Sequence, residues 1–339
     1  MSTIKVLFFS DSHLGFDFPV SGKSRKIRRG FDFFDNFYHI LNQAREKKVD
    51  LVIHGGDLFF RSKVPPAIVN KTYDTLFALA DDGIPLVIVP GNHDRSTLPV
   101  SLFLEHPNIN IFREPGVFNF VFGGINFQIA GFPYVKKIGD EITTVLSRIN
   151  DQVDVNGVSV LCMHQAFAGA TVGPVDYTFR AGSDVLGPKD LYGPYCAYLS
   201  GHIHRHQILK ISGNAGVETP FIYPGSIERT AFAERFEEKG FMYLHFDERG
   251  LHNFNFEKLP SRPMHIISIK EEPCSKDALI KEINGQAAAV KSRAAILIQS
   301  PTQTTSKWLT RKVLQQILPA DAHVEVRHRW LVGPDHSNK

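Results

Sequence analysis

IKVLFFSDSHLG, residues 4–15, is an apolar run that stops abruptly at Asp11-Ser12-His13. Ile4–Phe9 has the length and the aliphatic and aromatic content of a short buried strand. The same arrangement recurs along the chain. Leu51–Ile53 leads to Gly56-Asp57, Leu86–Val89 to Gly91-Asn92-His93-Asp94, Val158–Met163 to His164, and Cys196–Leu199 to Gly201-His202-Ile203-His204. Open α/β sheets place their sites at the carboxyl ends of strands, so these polar ends are expected to converge from a single sheet on one cleft. Oxygen and nitrogen donors without thiolate suit manganese, iron or zinc. The donors outnumber what one ion takes, which points to a pair of ions.

Between these strands lie helical patterns. Phe34, Phe37, Tyr38, Leu41 and Ala44 recur at helical spacing and predict an amphipathic helix over residues 31–47. A second helix is expected over 67–80. Such alternation argues for an α/β layered sheet. From about residue 116 the runs Val117–Phe122, Ile125–Ile129 and Val158–Met163 grow rich in β-branched and aromatic residues, with Gly123-Gly124 as a hairpin turn. A second, more antiparallel sheet is predicted to begin there and to be extended by Phe221–Tyr223, Phe241–Phe246 and Leu251–Lys258. Pro260–Pro263 marks a boundary. Beyond it, strand His265–Lys270, helix Lys276–Val290, strand Ala294–Gln299, helix Ser306–Ile317 and strand His323–Arg329 make a small α/β domain ending near residue 332. Residues 333–339 read as a flexible tail.

The chain's 339 residues suffice for one large domain and a smaller one. No apolar stretch is long enough for a membrane span, and the N-terminus does not read as a signal peptide. Cys162, Cys196 and Cys274 show no pairing rhythm, which points to a reducing, cytoplasmic setting. The net charge of +3 does not demand a polyanion, but residues 261–339 carry 12 Lys and Arg against 7 Asp and Glu. The distal module is thus mildly basic, which is compatible with nucleic acid.

Each cluster has its own chemistry. Asp11 and His13 stand two apart in a strand-end loop and can reach one ion. Gly55 and Gly56 let the backbone turn tightly before Asp57, whose two carboxylate oxygens suit it to bridge two cations. Asn92 offers a neutral oxygen, and the adjacent His93 is left for proton transfer or charge stabilisation. His202 and His204 project on one side of an extended segment, one for each ion. A pair of ions about 3.5–4 Å apart serves phosphoryl displacement by activating water and clamping the attacking and leaving oxygens.

The local forms SDSHLG at 10–15, GGDLF at 55–59, PGNHDR at 90–95, MHQ at 163–165, GHIHRH at 201–206 and YPGSIER at 223–229 resemble the calcineurin-like metallophosphoesterases, most closely the SbcD-type DNA repair nucleases. The resemblance covers roughly residues 1–260. It implies a four-layer α/β/β/α sandwich followed by a small α/β capping domain at 261–332. Asp11, His13, Asp57 and His204 would hold one ion, and Asp57, Asn92, His164 and His202 the other, manganese being usual and iron, zinc or magnesium compatible. His93 would be the catalytic histidine, with Asp94 orienting it. The implied activity is exonuclease and endonuclease cleavage of DNA by in-line attack of metal-activated hydroxide. The implied partners are DNA, a second copy of the chain and an SbcC-type ATPase. Two departures qualify this. Phe60 stands where the family often has histidine or aspartate, which points to altered or weak exonuclease activity. The chain also ends soon after its last helix, where family members with an ATPase partner usually extend further, which leaves direct ATPase partnership an open reading. Hydrolysis of small phosphodiesters, or a non-catalytic scaffold, are the competing readings.

Candidate substrate contacts are Arg25, Arg28 and Arg29, in a basic run beside the cleft, with Arg95 and Arg229. A solvated loop is an equal reading of that run. His206 reads as a surface residue, and Phe232 and Phe236 as core.

Overall fold

A computed structural model describes residues 3–17, 28–94, 105–212, 218–288 and 290–328. The chain forms two compact units. The larger contains Gly30–Arg229 and Glu237–Pro260 with the N-terminal strand, and the smaller contains Thr230–Phe236 and the chain from Ser261 onward.

Two six-stranded sheets build the larger unit, where a single site-bearing sheet was expected. The first runs in the order β16-β15-β1-β2-β3-β4. Its strands are β1 (Ile4–Phe9), β2 (Leu51–His54), β3 (Leu86–Ile88), β4 (Ile109–Ile111), β15 (Gly240–Asp247) and β16 (Gly250–Lys258). β1 to β4 are parallel, and β15 pairs antiparallel with β1. The second runs β13-β14-β12-β7-β6-β5. It comprises β5 (Gly116–Phe122), β6 (Ile125–Gly131), β7 (Val158–Met163), β12 (Tyr195–Ser200), β13 (Gln207–Ser212) and β14 (Glu218–Tyr223). Its inner strands are parallel and only its two edge pairs antiparallel, the same balance as in the first sheet, so it is not the more antiparallel sheet expected. The loop before β12 holds the two-residue strands β8 (Ala166–Phe167), β9 (Thr171–Val172), β10 (Tyr177–Thr178) and β11 (Val185–Leu186).

The assignment of 241–246 and 251–258 to the second sheet is also corrected. A strand's own pattern records how deeply it is buried, not which strand it pairs with. Here β15 closes the edge that β1 would otherwise expose.

Side-chain alternation explains the layering. Leu7 and Phe9 of β1 point outward into a core shared with α1 (Gly30–Glu46) and α2 (Pro66–Asp81). Ile4, Val6 and Phe8 point inward and meet Phe127, Ile129, Val160 and Leu199 of the facing sheet. A strand buried on both faces must be apolar throughout, which is why Ile4–Phe9 shows no polar alternation. In α1, Phe33, Phe34, Phe37, Ile40 and Leu41 are all buried, each contributing roughly 1.5–3 kcal/mol of transfer free energy. α3 (Ile138–Asn150) covers the outer face of the second sheet through Ile138, Ile142, Leu146 and Ile149. The result is a four-layer α/β/β/α sandwich.

In the smaller unit, β17 (Met264–Ser268), β18 (Ala295–Ser300) and β19 (His323–His328) form a parallel sheet with β18 central. α4 (Lys276–Ala287), α5 (Gln303–Trp308) and α6 (Arg311–Ile317) cover one face. The single helix expected over 306–317 is two helices. Thr310 caps the second, its hydroxyl accepting from the Val313 N–H at 3.4 Å. Phe232 packs on the other face with Met264, Ala295 and Leu297. Phe236 is not core: it is 79% exposed, with the Arg235 guanidinium over its ring. All three cysteines are free, and among the described residues no helix is long and apolar enough to cross a membrane.

Candidate metal centre

Because both sheets contribute parallel strands that run the same way, their carboxyl ends meet. Ser10 beyond β1 forms a parallel bridge with Ser226 beyond β14, tying one sheet's end to the other's. Asp11 and His13 follow β1, Asp57 follows β2, and Asn92 and His93 follow β3. His164 follows β7 of the second sheet, and His202 and His204 follow β12. The ligand candidates thus come from two sheets.

The backbone around them is strained. Asp11, His13, Asp57 and His202 all have positive φ, between 43° and 83°, although none is glycine. Such residues persist only where their surroundings over-determine them, and they concentrate at functional sites. Here the surroundings include main-chain bonds between the loops: Asp11 N–H to Gly56 O at 2.8 Å, His13 N–H to Asp57 O at 3.0 Å. Gly56, itself at φ +106°, lies against the His164 ring, and a Cβ at Gly91 would strike the Asp57 carboxylate.

Asp57 is central. Its Oδ2 lies 3.4 Å from His164 Nε2 and 3.9 Å from the Nε2 atoms of both His13 and His93. Its Oδ1 accepts the His93 main-chain N–H at 2.8 Å. On one side, Asp11, His13 and His204 present donor atoms within 4.8 Å of one another, with the His13 and His204 Nε2 atoms 2.9 Å apart. On the other side, Asn92 Oδ1 lies 3.1 Å from His164 Nε2 and 2.9 Å from His202 Nδ1. All eight of these residues are therefore brought together. The set is rich in carboxylate and imidazole lone pairs aimed at common points, which is what hard or borderline divalent cations require. Asp11, His13, Asp57, Asn92, His164, His202 and His204 could hold such ions.

The electrostatics fit a cation site. Burial opposes charge on Asp57, yet His164, and then His13 and His93, hold its carboxyl well below the usual range. Burial likewise opposes charge on His164, but the Asp57 carboxylate outweighs it and pushes the ring up to about 9. Burial, with His164 next, holds His202 at about 3, and burial raises Asp11.

Asp94 does not orient His93. Its carboxylate accepts the main-chain N–H groups of Gly91 at 3.0 Å, Phe59 at 3.1 Å and Leu58 at 3.2 Å, pinning the Gly91–Asp94 loop to the Asp57 loop. Burial, with Asp57 next, raises its pKa to about 7. The group that orients His93 is the Phe60 carbonyl, 2.6 Å from Nδ1. A main-chain acceptor leaves no residue-type signal, so nothing in the sequence announces it. The Phe60 ring lies beside those of His93 and His13, with centroids 5.9 and 6.0 Å away.

Other supporting residues also escaped the motif reading. Tyr134 lies against His202 and His164, and buried Lys239 donates to the His204 carbonyl at 2.8 Å. Arg205 grips Glu237, Thr171, Asp176 and the Gly173 carbonyl, fixing the segment that carries His204. His206, read as a surface residue, is half-buried: its ring stacks on Phe256 with centroids 4.0 Å apart and meets the Tyr223 carbonyl.

The arginines fare unevenly. Arg25 and Arg95 lie outside the described residues. Arg29 is 2% exposed, and a buried guanidinium is not presented to a ligand in solution. Arg229 Nε and Nη2 both donate to the Glu237 carbonyl, at 3.1 and 2.8 Å, so that group is engaged in holding the chain.

Residues 4–206 match the family described as calcineurin-like phosphoesterase. The DNA double-strand break repair protein Mre11 of Archaeoglobus fulgidus is 27% identical over 239 residues, covering 67% of this chain and 50% of that protein. The protein of the same name from Saccharolobus solfataricus is 24% identical over 285 residues, covering 81% of this chain and 69% of its own length. A third, from Methanopyrus kandleri, is 24% identical over 284 residues, covering 76% and 59%. The chain thus spans about half the length of the first of these relatives.

Proposed function

The chain belongs to the calcineurin-like phosphoesterase family, and from that premise we propose that it is a two-metal nuclease hydrolysing DNA phosphodiester bonds. The observation that carries this reading is the position of the Asp57 Oδ2, within 4 Å of His13 Nε2 on one side and His164 Nε2 on the other. A carboxylate so placed can bridge two cations, one with Asp11, His13 and His204, the other with Asn92, His164 and His202. Manganese fits the oxygen and imidazole donors. Bound there, two divalent ions supply Lewis acidity and a lowered pKa for water.

The chain's own contribution is to place charge and protons. Phe60 O accepts from His93 Nδ1–H, which turns Nε2 toward the Asp57 side of the cluster. His93 is 39% exposed at its side chain, so a substrate phosphate can reach it. When protonated, it offers Nε2–H to the developing charge or to the leaving oxygen. The loops that Asp94 pins keep Asn92 and Asp57 in register with it.

DNA as the substrate rests on the names of the three relatives and on the basic balance of residues 261–339. The same reading takes 1–260 as the nuclease domain and 261–332 as its cap, with a second copy of the chain as a partner. The test is incubation with manganese and three substrates: linear double-stranded DNA, single-stranded DNA and bis-p-nitrophenyl phosphate. Cleavage of DNA supports the proposal. Turnover of the small ester alone assigns the chain to small phosphodiesters, and silence on all three assigns a scaffold role.

A further inference from the structure

Among the described residues, the candidate metal centre leaves one buried histidine unused. His54 ends β2, is 1% exposed, and belongs to none of the candidate ligand groups. Its ring meets Phe9 edge-on, centroids 4.7 Å apart. Its Nδ1 accepts the Gly56 main-chain N–H at 3.3 Å. A ring nitrogen that accepts a hydrogen bond carries no proton, so the proton of this imidazole is on Nε2. Nε2 lies 2.8 Å from Ser12 Oγ and donates to it. His54 is therefore neutral, in one tautomer, with both nitrogens engaged.

Both partners sit inside the ligand loops. Gly56 immediately precedes Asp57, and Ser12 stands between Asp11 and His13. Those two neighbours of Ser12 have φ of 52° and 43°, so the serine is flanked on each side by left-handed backbone. A tripeptide in that state needs external restraint, because each such residue would relax if freed. The Ser12 side chain finds its restraint in His54.

We propose that His54 is a positioning residue for the metal centre. Through Ser12 and Gly56 it holds the loops Asp11–His13 and Gly55–Asp57 in the conformation that presents their ligands. This rests on reading the cluster as a metal centre. Losing His54 removes no ligand, so metal affinity falls while the number of ions bound at saturation does not.

Three variants of the full chain separate this from simple packing. His54→Phe keeps the ring against Phe9 and removes both hydrogen bonds. His54→Gln keeps a donor for Ser12, and Ser12→Ala removes the acceptor alone. Manganese binding is measured by calorimetry, with unfolding temperature in chelator as the control for folding. His54→Phe and Ser12→Ala should weaken binding about 10- to 100-fold, with turnover restored at saturating manganese, while His54→Gln stays close to wild type. Wild-type affinity in His54→Phe, or an equal loss in His54→Gln, would overturn the role. If His54→Phe does not fold, Ser12→Ala decides alone: unchanged affinity overturns the role, and weakened affinity supports it. A wild-type chain that binds no manganese would instead overturn the metal-centre reading, and this inference with it.

Discussion

His93 Nδ1 donates to the main-chain carbonyl of Phe60 at 2.6 Å, while the Asp94 carboxylate accepts the main-chain N–H groups of Leu58, Phe59 and Gly91. The two adjacent residues therefore do different work. His93 presents its Nε2 to the Asp57 side of the cluster, and Asp94 holds the loop.

His93→Ala should lower DNA cleavage by about 10²–10⁴-fold, the usual worth of a positioned proton donor. Both ions should remain, because the proposal gives the ring to neither ligand set, although its Nε2 lies 3.9 Å from Asp57 Oδ2. Parallel turnover and metal-content measurements check this, and wild-type cleavage in the variant would remove His93 from the mechanism.

For Asp94 the prediction concerns stability. Asp94→Ala leaves three buried N–H donors without their acceptor, at roughly 1–3 kcal/mol each if none finds another partner. We expect a loss of about 3 kcal/mol or more in chemical denaturation, with weakened metal binding because Asn92 shares the freed loop. A variant of normal stability that lost only turnover would restore a direct role toward His93.

Gly91 tests the closeness of the loops. A Cβ there would strike the Asp57 carboxylate and its main-chain nitrogen. Gly91→Ala should therefore weaken manganese binding more than 10-fold, the scale on which disturbing ligand support acts. Titration calorimetry would read the change, and unaltered binding would mean that the loops part easily.

The pH dependence follows from His164, whose ring is raised from 6.5 to about 9 in the metal-free fold as the Asp57 carboxylate overcomes burial. A raised basic group stabilises the fold fully below its unfolded value, and that stabilisation is lost as pH rises through the folded value. Chelated protein should thus lose stability between about pH 6.5 and 9, seen as a falling urea midpoint. Manganese affinity should rise across the same window, since the proton must leave before the metal binds. A flat midpoint with flat affinity would contradict the His164–Asp57 pairing.

The convergence of these side chains was legible because each candidate ligand sits soon after an apolar run, where a strand must end and its loop begins. Ile4–Phe9 and Val158–Met163 appear in the structure with those bounds. What the sequence concealed was pairing. Gly240–Asp247 and Val158–Met163 are similarly apolar, yet they lie in different sheets. Main-chain partners were equally hidden, as with Phe60 O, and so was His54, which reads as one polar letter closing an apolar strand. The break at Thr310 is written in its capping chemistry, but the apolar periodicity runs straight through it and masks the stop.

The bridging position of Asp57 is the claim on which the rest depends. Crystals grown with manganese, measured at its absorption edge, should show two anomalous peaks about 3.5–4 Å apart, one on each side of the Asp57 carboxylate. A single peak, or none, would contradict the account.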